Sequence, residues 1–266
     1  MDLSICSFVS GSSGNCSFVG AGKTRILVDA GVSAKRIKDK LQQMGSSAED
    51  LSAILVTHEH TDHIKGIGVL ARRHHVPVYA TQGTWDGMHK KIGEIPPWQV
   101  RVIDAGEEFY IDDIAVSPFS ISHDANDPVG FRLHYGMHSV AIATDTGRIT
   151  KSLAKELSGA DFLLFESNHD PEMLKNNPRY PAYLKRRILG SKGHLSNEAC
   201  ANALLSICEN GTRSVLLGHL SLQNNTPDIA LQTVSRVLEE KGVRIGRDID
   251  LNIADAENSS SVFIIK

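Results

Sequence analysis

Between Thr57 and His63 the chain reads Thr-His-Glu-His-Thr-Asp-His, so His58, His60, Asp62 and His63 offer four metal-ligand side chains within six residues. Alternation along an extended backbone puts His58 and His60 on one side, where two imidazoles can converge on a single ion. Asp62 and His63 follow at the expected start of a helix, which turns them toward a neighbouring ion. One aspartate cannot balance three histidines, so the cluster makes electrostatic sense only around a cation. The alternative is a polar loop in which Asp62 merely caps a helix.

Other reactive side chains stand at the ends of apolar runs. Asp29 closes Leu27-Val28-Asp29, Asp145 sits in Ala143-Thr144-Asp145-Thr146-Gly147, and His219 closes Leu217-Gly218-His219. His123 lies in Ser122-His123-Asp124, Glu166 in Phe165-Glu166-Ser167-Asn168, and His194 in Gly193-His194-Leu195-Ser196. Singly, Asp145 reads as a turn residue and His219 or His194 as a helix-entry residue. Beside the histidine cluster they read as the rest of a site. His74 and His75 instead close an expected helix, where partial positive charge suits the dipole. His169 has no role that the sequence assigns.

The elements that must position these residues follow from the apolar pattern. Leu3–Val9, Ser17–Val19 and Arg25–Asp29 read as strands, with a Gly-Ser-Ser-Gly-Asn turn at Gly11–Asn15 that is either a tight turn or an anion nest. Ile37, Leu41 and Met44 mark a helix face. Ala53–Thr57 is a strand that ends at the cluster, and Ile64, Ile67 and Leu70 predict one helix from there to near His75. Tyr110–Ser117 turns at Asp112-Asp113, and strands follow at Phe131–Tyr135 and Ser139–Thr144. The last third alternates: strand Phe162–Glu166, helix Asn197–Cys208, strand Ser214–Gly218, helix Asp228–Lys241, with closing strands at Leu251–Ile253 and Val262–Ile265. Two β-rich halves, each followed by helices, predict an α/β protein of packed sheets with helices outside.

The order His-x-His-x-Asp-His after a strand, with Asp29, His123, Asp145 and His219 in sequence around it, resembles the metallo-β-lactamase superfamily. The resemblance implies an αββα four-layer sandwich, formed as a single hydrolase domain over residues 1–266. It implies that His58, His60 and His123 hold one divalent ion, that Asp62, His63 and His219 hold a second, and that Asp145 bridges them, with Asp29 bracing the loop. Zinc or manganese suits such donors. Glu166 and His194 resemble the Glu–His pair of nucleases in this superfamily, and the Gly-His-Leu-Ser-Asn wording is similar to the WalJ/YycJ branch. The implied activity is 5′ exonuclease action on DNA. A metal-bridging hydroxide attacks phosphorus and His194, oriented by Glu166, protonates the leaving oxygen, with Asp62 counted among the catalytic residues. No insertion resembles a tRNA-gripping arm or a β-CASP domain. The competing readings are an RNA-processing nuclease and a hydrolase of small esters, thioesters or lactones.

Composition sets the outer limits. The 266 residues are 41% hydrophobic and 22% charged, an ordinary globular balance that excludes a disordered or fibrous chain. No apolar run nears the ~18 residues of a membrane span, and the start has no leader-like pattern, so a cytoplasmic location is expected. Cys6, Cys16, Cys200 and Cys208 form no Cys-x-x-Cys pair. A formal charge of −3 gives no global field for nucleic acid, although bound divalent metals would add positive charge at the site. Arg179, Lys185, Arg186, Arg187 and Lys192 are either phosphate contacts or a solvated helix face. The expected partner is a nucleic acid, DNA before RNA, and no membrane; the sequence leaves oligomeric state open.

Overall fold

The computed structural model describes residues 2–266, which form two compact units. The first runs to Ser120 and includes Ala125–His138 and Asp255–Lys266. Its strands are β1 (Leu3–Gly11), β2 (Gly14–Ala21), β3 (Thr24–Val28), β4 (Ala53–Leu55), β5 (Val78–Ala80), β6 (Val100–Val102), β7 (Phe109–Ile111), β8 (Ile114–Ser120) and β9 (Val129–Tyr135). Its helices are α1 (Ala34–Gln43), α2 (Thr61–Ile64), α3 (Ile67–His74) and α4 (Gln82–Ile92). The chain's last strand, Phe263–Ile265, returns to pair antiparallel with β1.

One sheet of this unit runs from that last strand through β1, β2, β3, β4 and β5 to β6. The β1–β3 pairings are antiparallel and those from β3 to β6 parallel. Parallel strands buried on both faces read as unbroken apolar runs, as Ala53-Ile54-Leu55 does. Ile37 and Leu41 of α1, Leu70 of α3 and Met88 of α4 pack with Phe8, Phe18 and Ile54 in one core. The Ser33 hydroxyl accepts from Arg36 N–H and starts α1. β7, β8 and β9 form an antiparallel meander in the same unit.

The helix expected to run unbroken from the cluster to His75 is two pieces, α2 and α3, parted at Lys65–Gly66. The Gly66 N–H donates to Ala30 O at 2.7 Å, and a Cβ there would come within 2.5 Å of Val32 O. The break keeps α2 tight against the end of β3. His60, not Asp62, occupies the N-cap of α2. His74 pairs with Glu49 at 3.0 Å and His75 ends α3 in the left-handed region, at φ 59°.

The second unit comprises Ile121–Asp124 and Ser139–Ala254. It contains β10 (His138–Ala143), α5 (Lys151–Leu157), β11 (Phe162–Glu166), α6 (Pro171–Asn176), α7 (Ala182–Leu189), α8 (Asn197–Glu209), β12 (Ser214–Gly218), α9 (Pro227–Glu240) and β13 (Asp250–Ile253). The four strands β10 to β13 are parallel and adjacent in chain order. Phe162–Glu166 is buried throughout, as is Val215–Gly218, and both strands match the ranges their apolar runs predict. Ser196 caps α8 and Thr226 caps α9. The four cysteines are unpaired by any disulfide, and burial pushes the thiols of Cys6, Cys16, Cys200 and Cys208 up. No helix among the described residues is long and apolar enough to cross a membrane.

Candidate metal centre

Ligands of open α/β sheets gather at the carboxyl ends of parallel strands, and each unit places its reactive side chains there. Asp29 follows β3, Asp145 lies two residues beyond β10, Glu166 ends β11 and His219 follows β12. Asp29, Asp145 and His219 all adopt left-handed backbone, at φ 61°, 58° and 53°. Aspartate and histidine are among the few non-glycine residues that tolerate this region. The sharp turn stops each strand and projects a polar side chain at its end.

In the first unit the Asp29 carboxylate organises the cluster. It accepts the Thr57 N–H at 2.8 Å, the Thr57 hydroxyl at 2.9 Å and His63 Nδ1–H at 2.7 Å. A carboxylate only accepts, so His63 carries its proton on Nδ1 and keeps the Nε2 lone pair. That Nε2 accepts from the Asn15 amide at 3.0 Å and lies 3.6 Å from Asp62 Oδ2. His58 Nε2 and His60 Nδ1 are 3.0 Å apart. Two nitrogens bound to one tetrahedral zinc, each roughly 2.05 Å away, stand about 3.3 Å apart. The donors therefore fit a metal ion. Gly31 makes the packing possible, because a Cβ there would stand 1.6 Å from Asp62 O.

Asn15 and Glu59 are contributors that the sequence did not reveal. Gly11–Asn15, read as a turn or an anion nest, is the end of the β1–β2 hairpin, and Asn15 of β2 brings its amide to His63. Glu59 is 7% exposed; its Oε1 accepts the Asn126 N–H at 2.9 Å, and its backbone carbonyl accepts Lys91 Nζ at 2.9 Å. Glu59 thus ties the cluster loop to α4 and to the segment after His123. Only tertiary approach reveals either role.

In the second unit, Asp145, Glu166, His194 and His219 each present one ligand-type atom within 4.8 Å of the others. Glu166 is fully buried. Its Oε1 lies 2.6 Å from His194 Nδ1 and 3.1 Å from His219 Nδ1, while Oε2 accepts N–H groups of Thr146 at 2.7 Å and Leu195 at 3.3 Å. Burial opposes this charge, but the His194 imidazolium and the hydrogen bonds from His194 and His219 outweigh it and hold the carboxyl below its usual range. Burial also pulls His194 down, and the Glu166 carboxylate more than reverses it, so His194 is raised. His219 Nδ1 also lies 3.1 Å from Asp145 Oδ1, and His123 Nδ1–H donates to Gly193 O at 3.2 Å. His219 and His123, with Nδ1 engaged, thus present Nε2 as the lone-pair nitrogen, whereas protonated His194 carries a proton there. Gly193 is confined by α7, where a Cβ would meet Ile188 O at 2.1 Å.

His169, unassigned from sequence, is 1% exposed, with neither ring nitrogen hydrogen-bonded, and burial pushes it down to about 4. It is a neutral imidazole beside the Glu166 segment.

Parallel strands ending in histidines and carboxylates of these types define a metal-dependent hydrolase. A family model described as the Beta-lactamase superfamily domain matches residues 24–220, and the chain belongs to the metallo-β-lactamase superfamily. Among its relatives, Exodeoxyribonuclease YycJ of Bacillus anthracis is 41% identical over 98% of this chain and 99% of its own. Exodeoxyribonuclease WalJ of Streptococcus pneumoniae is 40% identical over 90% of this chain and 89% of its own. The metallo-β-lactamase fold protein YhfI from Bacillus subtilis superposes with a TM-score of 0.74 at 17% identity, covering 99% of this chain and 100% of its own. The α/β metallo-β-lactamase fold and the resemblance to the WalJ/YycJ branch, both expected from sequence, hold, and the chain is an enzyme, a hydrolase of this superfamily.

Proposed function

We propose that the chain is a two-metal phosphodiesterase that removes nucleotides from the 5′ ends of DNA, working as one hydrolase domain over residues 1–266 in the cytoplasm. His58, His60 and His123 hold one ion, Asp62, His63 and His219 the other, and Asp145 serves both. The donor chemistry supports this: imidazoles with Nδ1 engaged and carboxylates alongside suit zinc or manganese. When bound, the ions supply an acidified water and positive charge against the phosphate. The two relatives named exodeoxyribonucleases, at 40–41% identity, favour DNA. The four free cysteines agree with a reducing compartment.

The observation that carries the reading is the hydrogen bond from His194 to Glu166. The bond fixes the His194 ring with its transferable proton on Nε2, and the Glu166 charge favours the protonated form. His194 gives that proton to the departing ester oxygen, and Glu166 balances the charge before transfer. A phosphodiester leaving group is a poor alkoxide that needs such an acid. Thioester hydrolysis expels a far less basic thiolate and needs it much less, so the pair favours phosphodiesters over that carbonyl alternative. Asp29 and Glu166 hold their histidines in the productive tautomer. The test is purified enzyme loaded with zinc or manganese, offered end-labelled DNA and RNA beside lactone and thioester panels. Preferential DNA hydrolysis supports the reading, and rapid lactone turnover with intact DNA overturns it.

A further inference from the structure

The helix α7 has no buried residue along its eight positions. Helices in globular domains ordinarily bury one stripe; here Leu184, Lys185 and Ile188 are only half-buried and the other five positions are exposed. Between Met173 and Gly193 the chain has six basic residues and no acidic one, in a protein whose net charge is −3. Three of these cations are engaged: Lys175 with Glu172, Lys185 with Lys175 O, and Arg187 with Asp124. Arg179, Arg186 and Lys192 are exposed and make no ion pair or side-chain hydrogen bond with any described residue. Tyr183, 69% exposed, lies three residues before Arg186 and so shares its helix face. An exposed aromatic beside unpaired cations is the pattern that holds single-stranded nucleic acid, stacking a base and tracking the backbone.

Two further features tie this segment to the reacting bond. The His194 N–H donates to Ile188 O at 2.9 Å, so the end of α7 directly carries the loop of the acid. A cleft of about 450 Å³, within the range of small-ligand sites (roughly 300–1,000 Å³), opens at the segment that leads into α7. It is lined by Asn177, Pro178 and Arg179 on one side and Leu222 and Gln223 on the other, the latter on the loop that leaves His219. Leu222 is 60% exposed, an apolar platform with the Arg179 guanidinium at the same cleft.

We infer that residues 179–192 are the docking track for the substrate strand beside the loop of His194, with Arg179, Arg186 and Lys192 on its phosphates and Tyr183 stacked on a base. The inference rests on the phosphodiesterase reading and names where that substrate lies. An acidic protein partner would use the same cations but would have no use for the link to His194.

The test compares metal-loaded wild type with R179Q/R186Q/K192Q and with K155Q/K241Q/R247Q, which removes the same charge from exposed sites elsewhere in the second unit. Substrates are a single-stranded DNA oligonucleotide and the nitrophenyl ester of thymidine 5′-phosphate, which is a single nucleotide and has no strand to dock. The first triple variant should lose roughly ten-fold or more in kcat/KM on the oligonucleotide beyond any loss on the ester. Its salt dependence should be shallower by about two in log–log slope, at ~0.7 per phosphate contact on a single strand. Y183S should show the same selective loss without the change in slope. The control triple should track wild type on both substrates. A wild type that cleaves DNA while the first triple matches the control overturns the inference alone. A wild type that cleaves the ester and ignores DNA overturns the DNA-nuclease reading, and this inference with it.

Discussion

Glu166 Oε1 lies 2.6 Å from His194 Nδ1, the shortest approach that the buried carboxylate makes to either of its two histidines. If this pair is the leaving-group acid, His194→Ala should retain its metal content and lose about 10²–10⁴-fold in rate on DNA. The loss should shrink on a nitrophenyl phosphodiester, whose leaving oxygen hardly needs a proton. Glu166→Gln should behave as a milder version. Equal loss on both substrates would remove the acid role and leave His194 as a phosphate or metal contact.

The same pair sets the alkaline limit. His194 acts in its protonated form, which persists below its pKa and disappears above it. Burial lowers that pKa, and the Glu166 charge more than compensates, so wild-type activity should extend to higher pH than an ordinary histidine allows. Glu166→Gln removes the negative charge, so the alkaline fall in kcat should move to lower pH. A pH–rate profile whose alkaline limb is unmoved in the variant would assign that limb to another group.

Asp29 holds His63 by the Nδ1 bond at 2.7 Å and the loop by two bonds to Thr57. Asn tolerates the left-handed backbone at this position but is uncharged and no longer fixes the tautomer. Asp29→Asn should therefore weaken metal retention by roughly 10–100-fold, the usual cost of losing such a supporting partner. Metal competition with a chromogenic chelator reads this directly. Two equivalents should bind the wild type, and Asp62→Ala should lower that stoichiometry. A wild type that stops at one, unchanged by Asp62→Ala, would contradict the two-ion assignment.

The histidine cluster was legible because its spacing is local, and β11 and β12 because their apolar runs are buried without interruption. Helix α4 was not, since Gly83 and Gly87 argue against a helix. The structure explains both glycines by close approach: a Cβ would come within 2.7 Å of Asp127 Cβ at one and 2.4 Å of Glu59 Cγ at the other. Helix α7 lacked a strong apolar period because none of its residues is fully buried. The break at Gly66, the reach of Asn15 to His63 and the sharing of Glu166 between two histidines depend on contacts between distant segments, which no local pattern encodes. The ordered motifs supplied the identities of the site residues; tertiary contacts supplied their tautomers and braces.

The central claim is metal-dependent hydrolysis of DNA from an end. It is tested most directly by incubating the metal-loaded enzyme with an equimolar mixture of linear and covalently closed circular DNA of the same sequence, with and without chelator. The linear form should be degraded to mononucleotides while the circle persists, and chelator should protect both. Cutting of the circle at the rate of the linear form, or degradation that survives chelation, would contradict it.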